Sequence, residues 1–421
     1  MNSTGGGYSF DMERVLENVA CTVCGCVCDD LRITTDGERI VKAERACALA
    51  EPWLLAQRAI SQPRNDWEAK LDAAASILKA SQSPLIYGLS RSTTEGQRAA
   101  VALAEKLGGT IDTTASTGHA PSIMALQQVG ESTCTLGEVK QRADLVIFWG
   151  SDPAVTHPRH IERYCPSRAG RTIIVVDVEE TATAKAADSF VKLDQGKDWE
   201  TLWKLRGLIR SFPASETSGG QNPLVSLAAK MLSCRFGIVF FGAGITKGTM
   251  AHRTVESLLQ LVTDLNDHTE PETRRRFYAR RMRRYGDVAG ADSVLAWQTG
   301  YPFGVNFAAG YPRYNPGEFT GPDMLARKEV DACVLIGGDT IKDFPREALE
   351  HLRNIPVILL DSPGHVPLVE PTILFETAVY GVHRPGTAYR MDEVPIPLRV
   401  LLPSDLPSDA EVLEGLLKRV L

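Results

Sequence analysis

Long apolar runs are missing from this 421-residue chain. The longest are strand-sized, which excludes a membrane-spanning helix of about 20 apolar residues. An excess of one charge is missing too: 46 Lys and Arg face 52 Asp and Glu, a formal net charge of -6. The overall balance therefore offers nucleic acid no general attraction. Residues 1–10 have neither the charged start nor the apolar centre of a signal peptide, so a cytoplasmic location is expected. Cysteine is sparse outside one stretch, which argues against a disulfide framework.

That one stretch organises the chain. Cys21-Thr-Val-Cys24-Gly-Cys26-Val-Cys28-Asp29-Asp30 is followed by Cys47, so five of nine cysteines cluster near the start. Cys21, Cys24 and Cys28 have the spacing C-x2-C-x3-C, and Cys47 adds a fourth sulfur after 18 intervening residues. Thiolates two to four residues apart can converge on one soft metal centre, and a distant fourth closes the coordination. Cys26 alternates with its neighbours and is expected not to be a ligand. Gly25 is expected to give the loop conformational freedom. Three readings stay open: a [4Fe-4S] cluster, a structural zinc, or unmetallated thiols.

The expected fold class is α/β. A small iron-sulfur-type cysteine domain (12–63) precedes two doubly wound parallel-sheet units (64–215 and 223–387) and a C-terminal tail (388–421). Residues 1–11 read as disordered, and 213–222 as a polar linker. Around Asp36-Gly37, Leu31–Ile33 and Arg39–Val41 read as a hairpin. A helix is expected from Glu51 to Ala59, ending before Pro63. From Pro84 the pattern becomes strand–loop–helix. Pro84–Gly88, Ala143–Gly150, Arg171–Asp177, Phe236–Gly242, Asp331–Gly337 and Ile355–Asp361 read as strands. Thr94–Leu107, Thr201–Phe212, His252–Leu265 and a segment from Asp409 read as helices. Strands ending in Gly or Asp leave polar loops at the carboxyl edge of a sheet, where such folds bind ligands. The loops are Gly88–Arg91, Gly150–Pro153, Asp177–Thr181, Gly242–Gly244 and Gly337–Thr340. Each, taken singly, is also an ordinary way to end a strand.

Two of these loops, Trp149–Pro158 and Val176–Asp188, resemble those of the molybdopterin-dinucleotide oxidoreductases. The resemblance implies contact with the guanosine half of a cofactor and singles out Gly150, Asp152, His157, Asp177, Thr181 and Asp339. Longer strings resemble the B subunit of formylmethanofuran dehydrogenase: Cys21–Asp30, His119–Gln127, Thr133–Lys140, Trp297–Phe303, Gly310–Glu318 and Gly386–Asp392. That resemblance implies a metal-ligating Cys or selenocysteine directly before His119, and an Arg near the reacting carbon. This chain has Gly118 and Ala309 there, and Glu179 where relatives carry Arg. An added carboxylate repels phosphate. These departures resemble the B subunit of the bacterial formyltransferase/hydrolase complex, which implies a relic pocket (Gly118, His119, Ala309) without bound molybdopterin or tungstopterin. The implied partners are amidohydrolase-like and formyltransferase-like subunits, and the implied role is scaffold and furan-coenzyme partner in tetrahydromethanopterin-linked one-carbon metabolism. The alternative is an active molybdenum or tungsten dehydrogenase subunit.

His119 reads either as a general acid/base or as a hydrogen-bonded pocket relic. His157, His160 and Cys165 could be metal ligands, but Pro158 interrupts a helix between the two histidines. Arg274–Arg284 carries seven Arg in eleven residues. It reads as a solvated or subunit-facing charged surface. The alternative is a polyanion groove in which Arg274, Arg275, Arg280 and Arg281 hold the carboxylate tail of a methylofuran-type coenzyme.

Overall fold

The computed structural model describes residues 13–61, 66–211, 222–248, 250–267 and 275–421. Residues 1–11, Pro63, most of the 213–222 linker and Arg274 lie outside the described residues. The strands are β1 (Arg14–Val19), β2 (Leu31–Thr35), β3 (Ile40–Glu44), β4 (Pro84–Gly88), β5 (Thr110–Thr113), β6 (Leu145–Trp149), β7 (Thr172–Asp177), β8 (Ser189–Lys192) and β9 (Phe236–Phe241). They continue with β10 (Arg276–Arg281), β11 (Val305–Asn306), β12 (Arg313–Tyr314), β13 (Ala332–Ile336), β14 (Val357–Asp361), β15 (Ile373–Glu376), β16 (Gly386–Tyr389) and β17 (Pro395–Leu398).

Two parallel sheets dominate. One has the order β10-β9-β6-β7-β8 and is parallel throughout. The other has the order β12-β11-β5-β4-β13-β14-β15, parallel from β5 to β15, with β11 and β12 antiparallel at one edge. The sheets are interleaved in sequence. Segment 64–215 gives β4 and β5 to one sheet and β6–β8 to the other, and segment 223–387 also contributes to both. The strand–helix pattern repeats along the chain as expected, but strand pairing does not follow the sequential division at 213–222.

Each sheet buries both faces. On the five-stranded sheet, Leu145, Ile147, Trp149, Val239 and Phe241 pack against helices Asp198–Ser211 and Ala251–Asp267. Val146, Phe148, Ile238 and Phe240 point the other way, into one core with Cys24, Cys26, Leu31 and Ile33. Period-two alternation thus sends half of each strand toward the N-terminal unit. That unit is the antiparallel sheet β1-β2-β3 with the cysteine loop, and its hairpin turns at Gly37, where φ is +92°. Its apolar side lies within the larger fold's core. The helix after it runs Ala50–Leu55, not to Ala59. The chain turns there to bridge Arg39 with Arg58 and Ile60 with Ser404. No helix among the described residues is long and apolar enough to cross a membrane.

Candidate functional site

Carboxyl-end loops of both sheets enclose a cavity of about 340 Å³. Gly118 and His119 enter after β5, Phe241, Gly242 and Ala243 after β9, and Arg281, Arg283 and Arg284 after β10. The short helix Ala115–Gly118 ends at Gly118, where an added Cβ would meet nothing within 4 Å. His119 follows, and its carbonyl accepts the Ser122 N–H at 2.9 Å, opening helix Ala120–Val129. Its Nε2 lies 2.8 Å from an oxygen of Asp292. The other Asp292 oxygen accepts the Thr113 hydroxyl at 3.0 Å, which ties helix Val288–Thr299 to the end of β5. Burial lowers the His119 pKa; Asp292 opposes the shift, and Arg283 and Arg281 add to it. The imidazole is therefore neutral near pH 7.

Most of the described arginine run is not a solvated surface, although Arg276 and Arg284 are exposed. It forms β10 at the edge of its sheet, and Arg275, Arg280, Arg281 and Arg283 are each more than nine-tenths buried. Arg275 donates to the Leu265 and Leu232 carbonyls. Arg280 donates to the Met391 carbonyl and pairs with Glu393, and Arg281 pairs with Glu131 at 3.0 Å. Arg275 thus directly precedes β10 and Arg281 ends it, roughly 20 Å apart at the usual rise. They do not form one patch with Arg280. Of the described members of the expected set (Arg275, Arg280 and Arg281), Arg281 reaches the cavity, joined by Arg283, Arg284 and Lys247. Arg281 Nη1 and Arg283 Nε and Nη1 are buried without hydrogen-bond partners. Buried N–H groups of a cation left in this way favour an anionic ligand.

Most residues expected to touch a nucleotide are engaged in the fold. Gly150 lets backbones stack: a Cβ there would lie 2.9 Å from Gly244 Cα. Asp152 accepts the Thr183 N–H at 3.0 Å and the Thr183 hydroxyl at 2.5 Å, and Thr181 caps helix Ala182–Ala186. His157 Nε2–H donates to the Arg283 carbonyl at 2.8 Å, and burial holds its pKa down to about 4. Burial, with Asp198, Glu179 and Asp152 nearby, raises Asp177. An acidic neighbourhood of this kind repels phosphate. Asp339 lines a second cavity, of about 200 Å³, where it pairs with Arg91 at 2.8 Å. His160 and Cys165 are buried, with His160 Nδ1 3.7 Å from Cys26 Sγ. Pro158 falls between two short helices, as expected. Ala309 is not at the cavity. It is exposed beyond β11, whose antiparallel pairing carries it toward the start of β5, while Gly118 lies beyond that strand's end. Asp292, Lys247 and Arg283 escaped sequence reasoning. For Asp292 the signal was there: one carboxylate inside Val288-Ala-Gly-Ala-Asp-Ser-Val-Leu295.

In the cysteine loop, Cys21 N–H donates to the Cys28 carbonyl at 2.8 Å. Burial raises the Cys21 thiol, and Cys24, Cys28 and Cys47 each raise it further. A cationic centre beside Cys21 would relieve that penalty, whereas Cys24 is shifted down, chiefly by its hydrogen bond with the Cys26 side chain. Among the described residues, however, no three His, Cys, Asp or Glu side chains already stand in a metal-holding group. Gly25 owes its place to space rather than to φ: a Cβ there would lie 2.2 Å from the Arg283 carbonyl oxygen.

Family models match none of this chain. Individual relatives do. The chain is 39% identical to the B subunit of the tungsten-containing formylmethanofuran dehydrogenase 2 of Methanocaldococcus jannaschii, over 97% of this chain and 99% of that one. The Methanococcus maripaludis counterpart is 35% identical over the same shares. This chain belongs to the family of formylmethanofuran dehydrogenase B subunits. The B subunit of the Methylorubrum extorquens formyltransferase/hydrolase complex is 26% identical over 64% of the chain and 71% of that subunit. A crystal structure of that complex with methylofuran matches with TM-score 0.70 and 22% identity, over 86% of this chain and 98% of that one. Acetylene hydratase of Pelobacter acetylenicus matches with TM-score 0.61 and 11% identity, over 95% and 69%. Both likenesses show the fold alone. For the tungsten in the names of those two relatives the fit is incomplete: Gly118, where the resemblance implies a ligand, has no side chain to hold it.

Proposed function

We propose that this chain is the B subunit of a cytoplasmic one-carbon complex that moves formyl groups on a furan carrier, and that its own redox step is gone. It would serve as scaffold and coenzyme-binding partner beside amidohydrolase-like and formyltransferase-like subunits. The observation that carries this reading is Gly118, bare and facing open space at the cavity where a metal ligand is expected. The solved relative with methylofuran supports a furan-type coenzyme here. The buried guanidinium groups of Arg281 and Arg283 support an anionic ligand. Cys21, Cys24, Cys28 and Cys47 suit a [4Fe-4S] cluster, which in a redox-silent subunit would be structural.

A second reading has its own support: tungsten-containing relatives are the more similar in sequence, over nearly the whole chain. On that reading the subunit reduces or oxidises the one-carbon unit itself. Metal analysis of the purified complex separates the two. Tungsten and molybdenum far below one per chain are expected, and either near one per chain overturns the redox-silent reading.

A further inference from the structure

We propose that Asp292 is a positioning residue for His119: it keeps the ring proton on Nε2 and leaves the Nδ1 lone pair free for the cavity. The geometry carries this on three counts. The Nε2–carboxylate contact is 2.8 Å, between side chains only 12% and 6% exposed. The carboxylate is held from a second side by the Thr113 hydroxyl, so it cannot swing away from the ring. The His119 backbone is fixed as well, because its carbonyl accepts from Ser122 and Ile123 at the start of a helix. No second partner for the ring is found among the described residues, and His119 lines the cavity.

A dyad of this form has a definite capacity. A proton arriving from a bound acid adds to Nδ1, and the imidazolium that forms is stabilised by Asp292 through Nε2–H. The proton departs from the same nitrogen, so no other group need change state. The charges around the ring set its readiness. Arg281, Arg283, Arg284, Lys247, Asp343 and Tyr285 line the cavity, and Arg283 and Arg281 favour the neutral ring. Asp287, on the approach to the Asp292 helix, is buried, and desolvation pushes its pKa up. Asp292 is thus the carboxylate in contact with the ring. This inference rests on the cavity being the site, and not on the presence or absence of a heavy metal there.

Selective 15N-histidine labelling of the purified complex tests it, with His119→Gln assigning the resonance. The expected wild-type spectrum shows the Nε2–H tautomer near pH 7. Asp292→Asn, which keeps size but removes the charge, should lower the apparent pKa of His119 by at least about one unit. The other histidines should not move. Thr113→Val, which removes one anchor of the carboxylate, should shift His119 in the same direction by less, and serves if Asp292→Asn fails to assemble. An Nδ1–H tautomer in the wild type, or a resonance unmoved by either variant, overturns the assignment. Metal content decides the redox question separately, so the two ideas can fail independently.

Discussion

Gly25→Ala should be among the most damaging single-methyl changes this fold can suffer. Its Cβ would lie 2.2 Å from the Arg283 carbonyl oxygen and 3.5 Å from the Arg283 Cβ. A comfortable carbon–oxygen contact needs about 3.3 Å, so one backbone must retreat by about 1 Å. The carbonyl has nowhere free to go, because it already accepts His157 Nε2–H at 2.8 Å inside the core. Overpacking of this kind costs about 1–3 kcal/mol. A buried imidazole N–H left unpaired adds about 1–3 kcal/mol. Together these give about 2–6 kcal/mol, a large part of the usual 5–15 kcal/mol of net stability. Denaturant unfolding of the purified protein at pH 7 measures it. Gly37→Ala is the control: Gly37 has φ +92° and open space around it, so strain without collision should cost only about 1 kcal/mol. A Gly25→Ala midpoint within about 0.5 kcal/mol of wild type would refute the contact between the cysteine loop and the arginine strand.

Gly118→Cys should behave oppositely, changing stability by no more than about 0.5 kcal/mol, since nothing lies within 4 Å of the new Cβ. A loss above about 2 kcal/mol in the same unfolding assay contradicts an open position. His160, held down to about 3 by burial, must take up a proton on unfolding below its free value of about 6.5. Its stabilisation is present above that pH and is lost as pH falls toward 3, at up to about 1.4 kcal/mol per unit. Asp112 and Asp409, pushed up by burial to about 7 and about 6, slope the other way, because their stabilisation is lost as pH rises. The comparison is therefore between variants: His160→Phe should lessen the fall in stability between pH 6 and pH 4 by one proton's worth, and an unchanged profile contradicts the buried neutral ring. On the proposed [4Fe-4S] assignment, Cys47→Ser should strip iron and the broad absorbance near roughly 400 nm from anaerobically purified protein, while Cys26→Ala keeps both. Equal losses would remove Cys26 from its non-ligand place.

What was legible in the sequence was local. Helix Thr94–Leu107 has the expected ends because the Thr93 side chain caps its start and Gly108, at φ +63°, closes it. The β2–β3 hairpin was written in Asp36-Gly37 and the apolar residues on either side. Sheet membership was not local. Nothing in Pro84–Gly88 says that its neighbour will be Ala332–Ile336, some 250 residues away, rather than Leu145–Trp149. The arginine run misled for a physical reason. Charge count suggests solvent, but the alternating Phe277 and Ala279 mark a strand with a buried face, and Glu131 and Glu393 come from distant segments to neutralise it. Ala309 was misplaced because alignment to a motif fixes order along the chain and not which end of β5 the following loop visits.

The contrast between Gly118 and its neighbours explains how this frame can stand without its expected sulfur. Gly25 is locked against Arg283, Gly150 against Gly244, and His119 against Asp292. Each of those positions is coupled to packing, so a change there is felt by the fold whatever the chemistry. A Cβ at position 118 would meet nothing within 4 Å, and the contact made there is by the backbone, whose carbonyl accepts the Thr246 hydroxyl at 3.2 Å. A side chain there would contribute almost nothing to folding, and only a ligand in the cavity could give it a partner. Stability therefore resists change at the cysteine loop, the sheet edges and the dyad, and is indifferent at the one position on which redox chemistry would depend. On the redox-silent reading proposed above, a subunit would lose that chemistry and keep the cavity and its buried cations in place.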